Sequence, residues 1–133
     1  MKNTTKKICL AVFILLITAT VQADEELPEW VTRESEVWVE EGVIYAMGTA
    51  RMSTVARSIS TANSRAQTNL SHALATGEIT DYPAIPTDTK TRTTFNYNGT
   101  SVVAGDLTVK DTFVNEDGYV YVLLSCTGAE MEG

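Results

Sequence analysis

Residues 53–76 read STVARSISTANSRAQTNLSHALAT, a run of 24 positions without proline or glycine. Val55, Ala56, Ile59, Ala62, Ala66, Leu70, Ala73 and Leu74 recur at the spacing that places them on one stripe of an α-helix. Ser53 or Thr54 supplies an oxygen to cap the first turn, and Gly77 supplies the left-handed residue that ends the last one. Alanine dominates the apolar stripe, so the helix is expected to lie close against a sheet. Asn63 interrupts the stripe. A buried amide left without a partner costs about 1–3 kcal/mol, so Asn63 should either bond a strand edge or loop or line a pocket.

On either side of this helix the period changes to two. Val37 and Val39 flank Trp38, Glu41-Gly42 makes a turn, and a second strand runs from Val43 to about Ala50. Gly48 inside that strand marks a bulge or a close approach of another backbone. After a connection over 77–90 that contains Pro83 and Pro86, Thr93, Phe95 and Tyr97 share a face and Asn98-Gly99 forms a hairpin turn. The following strand is read with Val103, Leu107, Val109 and Phe113 inward and Asp106, Thr108, Lys110 and Thr112 outward. Glu116-Asp117-Gly118 turns the chain into Tyr119–Cys126, apolar on both faces as a central strand would be. The order β-β-α-β-β-β predicts an α+β fold, one long helix packed across a mostly antiparallel sheet of four to five strands.

The chain has 133 residues, enough for one domain. Its N-terminus carries Lys2, Lys6 and Lys7, an apolar run from Ile8 to Ile17, and Val21 and Ala23 at the −3 and −1 positions of a signal-peptidase site. A membrane-spanning helix needs about 20 apolar residues, and this run is half that length. We therefore expect residues 1–23 to be a cleaved secretory signal. Residues 24–133 should form a single α+β domain with a loose acidic lead-in over 24–36. No transmembrane segment is expected after cleavage, and the protein should be periplasmic, outer-membrane-associated or secreted. Cys9 sits at the start of the apolar run, where a lipoprotein cysteine would not be. The mature part keeps one cysteine, Cys126, whose face is shared with Val120, Val122 and Leu124; it reads as a buried thiol or else as half of an intermolecular disulfide.

Charge narrows the partners. Seventeen acidic residues face 10 basic ones, for a net charge of −7, and loss of the three leader lysines makes the balance more acidic still. Nucleic acid and anionic lipid recruit clustered Lys and Arg, so neither is expected. The lone histidine, His72, lies on the solvent side of the helix, remote from any second ligand or nucleophile. No glycine-rich phosphate loop occurs, and the acids lack calcium-loop spacing. No catalytic, cofactor-binding or metal-binding residue is nominated, and the chain is read as non-catalytic. Trp30 and Trp38 are the candidates for an interaction site, because tryptophan is enriched at interface hot spots. The competing reading is that they fasten the N-terminal segment to the sheet.

Four stretches carry a resemblance: Pro28-Glu29-Trp30-Val31, Ile44-Tyr45-Ala46-Met47-Gly48-Thr49-Ala50, Ser64-Arg65-Ala66-Gln67-Thr68-Asn69-Leu70 and Tyr119-Val120-Tyr121-Val122-Leu123. In this order they resemble the Lpp-twenty-like family of small bacterial envelope lipoproteins, the family that includes a flagellar outer-membrane protein. The resemblance implies an α+β domain of the outer envelope that works by assembly, in some members around the flagellar motor, with no catalytic residues. This chain departs from the family in lacking the lipidated cysteine, which points to a soluble periplasmic or secreted form that would reach the outer membrane only through partners. It also places Asn63 just before Ser64-Arg65-Ala66. The expected function is that of an envelope protein acting by self-association or by docking on protein partners. The alternative is a small periplasmic module that binds a peptide, glycan or protein beside the 77–90 connection.

Overall fold

The computed structural model describes residues 27–132, so the expected signal segment lies outside the described residues. Within them one helix and seven strands build an antiparallel α+β fold in the expected order. A short 3-10 turn, Glu29–Thr32, precedes β1 (Val37–Glu40) and β2 (Val43–Ala50). Then come α1 (Val55–Ala75), β3 (Arg92–Tyr97), β4 (Thr100–Gly105), β5 (Thr108–Val114), β6 (Val120–Cys126) and β7 (Gly128–Glu132). One sheet has the order β1-β2-β6-β5, the other β3-β4-β7.

The strand count exceeds the expectation because the last long hairpin is bent. Thr100–Val114 and Val120–Glu132 each break at the same level, where Gly105 pairs with Gly128. Asp106 takes a left-handed conformation (φ 44°) where its strand passes from one sheet to the other, and on the partner arm the two strands meet at Thr127. Glycine is required at Gly128, where a Cβ would lie 2.7 Å from the Ala84 carbonyl carbon and the 77–90 connection could not cross; across the bend, a Cβ on Gly105 would lie 3.0 Å from the end of the Ile85 side chain and crowd it. Asp106 fastens the bend. Its carboxylate accepts from the backbone N–H of Thr91 at 3.0 Å and of Lys90 at 3.2 Å, and from the Thr91 hydroxyl at 3.1 Å. These donors, the Thr91 backbone first, hold its pKa below the ordinary carboxylate value.

The helix begins at Thr54, whose side chain accepts from Arg57 N at 3.1 Å, and ends before Gly77 (φ 78°). It lies across β2 and β6. Gly48 faces it so closely that a Cβ there would sit 2.9 Å from Ala66 Cα, which is the close backbone approach its position in the strand implied. Ala50, Ala62, Ala66, Val120, Val122 and Leu124 form one buried cluster under the helix. Leu70, Ala73 and Leu74 form another with Val37, Ile44, Ala46, Cys126, Val102, Ala104 and Ala129, where the second sheet curls round the helix C-terminal half. β6 is central in its sheet, as its apolar run predicted; its helix face is fully buried, and on the other face Leu123 is buried while Tyr121 and Ser125 are partly exposed.

Three local expectations are revised. Val55 and Ile59 belong to the apolar stripe but remain exposed, because the buried face of the first turns runs through Ser58 and Ala62 instead. Asn63 reaches neither a strand nor a pocket wall; its Oδ1 accepts from Gln67 Nε2 at 3.2 Å. In β5 a bulge between Val109 and Asp111 shifts the alternation. Phe113 therefore sits opposite Tyr121 on the face away from the helix, while Val109 keeps the helix side.

Candidate functional site: an aromatic sheet face

The alternation that turns Ile44, Ala46, Gly48 and Ala50 towards the helix turns Tyr45, Met47 and Thr49 the other way. Register then decides what joins them. Trp38 pairs with Tyr45, Leu123 with Met47, and Tyr121 with both Thr49 and Phe113. The outcome is a third apolar cluster, on the sheet face opposite the helix, with Trp38, Met47 and Leu123 buried and Trp30, Tyr45 and Tyr121 partly exposed around them.

Both sequence-nominated residues lie in this cluster, in different roles. Trp38 is 7% exposed; it stacks on Tyr45 (5.7 Å between centroids, 24° between planes) and carries the Arg33 guanidinium 4.3 Å above its ring. Its indole N–H donates to Glu40 Oε1 at 3.3 Å. Trp30 comes from the 3-10 turn and bridges across the sheet, donating its indole N–H to Asp111 Oδ2 on β5 at 3.1 Å. The two tryptophans thus fasten the lead-in to the sheet. The surface they leave open is made by Tyr45, Tyr121 and Phe113, rimmed by Arg33, Glu40 and Asp111. Sequence reasoning did not single out these three rings. Tyr45 and Tyr121 were legible as outward positions of their strands, whereas Phe113 was hidden by the bulge.

Elsewhere the chemistry is sparse. Among the described residues no three His, Cys, Asp or Glu side chains approach closely enough to hold a metal ion. No described helix is long and apolar enough to cross a membrane. His72 lies on the surface, its ring edge-on to Tyr97 at 5.1 Å and its Nδ1 3.7 Å from Glu78. Cys126 is 1% exposed, and burial pushes its thiol pKa up to about 11, far from the thiolate that redox chemistry needs. The 77–90 connection, where the binding-module alternative expects a site, covers the bend of the sheet and buries Ile85. An open depression of about 300 Å³ lies at the opposite end of the molecule, lined by Leu27, Asn115, Glu116 and Asp117. No family model, curated protein or solved structure matches the chain.

Proposed function

We propose that this chain is a non-catalytic, exported bacterial envelope protein that works by assembly or docking, held at the outer membrane through protein partners. The observation that carries this reading is the aromatic sheet face. Tyr45 and Tyr121 stand partly exposed against a buried Trp38–Met47–Leu123 centre, Phe113 extends the face from Tyr121, and one cation and two carboxylates lie at the rim. Large aromatic rings ringed by polar groups are the composition of protein-interface hot spots, where a rigid ring gains burial at little entropic cost. The signal-like N-terminus and the resemblance to the envelope family support export and assembly as the setting. A flagellum-associated role belongs to the same reading, because that is where some members of the family act.

Fractionation of the cells that make the protein tests it. The wild-type chain should sediment with the outer-membrane fraction. The double variant Tyr45→Ser/Tyr121→Ser, with the buried centre intact, should be released into the soluble periplasmic fraction. A wild-type chain that is wholly soluble, or a double variant that still sediments fully, would contradict the proposal.

A further inference from the structure

A sheet edge is a template for another strand unless something occupies or distorts it. Four of the five edge segments described here are so treated. On β1 the Val37 carbonyl is taken by the Ser35 hydroxyl at 2.7 Å. Where β2 runs on past β1, the carbonyls of Met47 and Thr49 are capped by Asn69 Nδ2 at 2.8 Å and Arg65 Nη1 at 3.0 Å. β5 carries its bulge at Lys110. On β7 the Ala129 N–H donates to the Pro83 carbonyl at 3.1 Å. β3 differs from all of these: it is a regular six-residue strand, Arg92–Tyr97, without bulge or proline, and among the described residues no hydrogen bond from outside its sheet reaches its main chain.

We propose that β3 pairs with β3 of a second copy of this chain, antiparallel about a two-fold axis, joining two three-stranded sheets into one of six strands. The proposal rests on the assembly reading and names its partner and surface. The register follows from the hydrogen-bond parity. The Thr91 carbonyl accepts from Asp106 N at 2.9 Å and so faces β4, and alternation then turns the main-chain groups of Arg92, Thr94 and Asn96 to the open edge. A two-fold axis at Thr94 sets Thr94 opposite its own copy and Arg92 opposite the partner's Asn96, satisfying all three outward-facing residues on each strand. No like charges meet. On the helix side, the half-buried Phe95 gains the partner's Thr93 as a cross-strand neighbour. Arg92 and Asn96 lie exposed on the outer face, so their charges can be changed without touching the core.

The test is the native mass of the protein purified from its own cells, followed over a dilution series. Wild type should be dimeric or a multiple of a dimer. Thr94→Pro removes an edge N–H that β4 does not use and should halve the mass, with the circular dichroism of the folded chain retained. Asn96→Asp sets a carboxylate opposite Arg92 on each side of the axis, making two ion pairs per dimer, and should tighten association about threefold to tenfold. Arg92→Asp/Asn96→Asp places acids opposite one another and should weaken it by at least as much. An oligomer indifferent to all three variants would overturn pairing through β3 while leaving docking by the aromatic face standing. A wild-type monomer up to about 1 mM would overturn self-pairing outright; the fractionation result then decides the docking reading alone.

Discussion

Single side chains fix the two places where this fold departs from a simple helix on a sheet. Asp106 holds the bend through three donors from Lys90 and Thr91, and those donors favour its charged form. Its folded pKa is depressed, so its contribution is present above the unfolded carboxylate value and is lost as pH falls through the folded one. Asp106→Asn keeps the left-handed backbone, which asparagine tolerates, but removes the charge. That variant should melt below wild type at pH 7, and the two melting curves should converge below about pH 4. Trp30 and Trp38 separate in the same way. Trp38→Ala empties the centre of the cluster on the outer sheet face and should cost about 3–5 kcal/mol in denaturant unfolding. Trp30→Ala should cost only about 1 kcal/mol, and its signature is local: residues 27–36 become open to protease while the rest of the domain stays resistant.

At the scale of elements, the helix and the close approach at Gly48 were legible in the sequence, because alanine spacing and a lone glycine mid-strand have one common cause. The backbones of α1 and β2 nearly touch, and any side chain at position 48 would have to displace the helix at Ala62 and Ala66. Gly48→Ala should therefore destabilise by about 1–3 kcal/mol or more, despite alanine's better strand propensity, and should lower the melting temperature by roughly 5–20 °C. The strands were legible where their alternation is unbroken, as in β2, β3 and β6. They were not where it changes phase. The bulge at Lys110 slips the alternation that runs on from Val109 by one, and no glycine or proline stands there to announce it. Alternation alone therefore puts Phe113 on the wrong face. The continuation Gly128–Glu132 is hidden for a related reason: its only buried side chain, Ala129, is too small to mark a period. The candidate site was half visible. Both tryptophans stand out by residue type alone, but the tyrosines that remain open beside them join the site only through cross-strand register, which sequence does not display.

For the molecule as a whole, the helix side and the outer side of the sheet serve different ends. The helix side is filled with alanine, valine and leucine and holds the domain together. The outer side stacks aromatic rings that are only partly covered by the lead-in, and the second sheet ends in a strand whose main-chain groups face outward. Stabilising burial on one side and an open aromatic face on the other is the division that the proposed assembly role would call for. Cys126 takes no part, since its thiol is buried against the Gly128 carbonyl, 3.6 Å away. The most direct test of assembly is the native mass of the wild-type protein at rising concentration, measured with and without reductant. A defined oligomer that is indifferent to reductant is the predicted result. A monomer at every concentration, or a dimer that reductant dissolves, would contradict it.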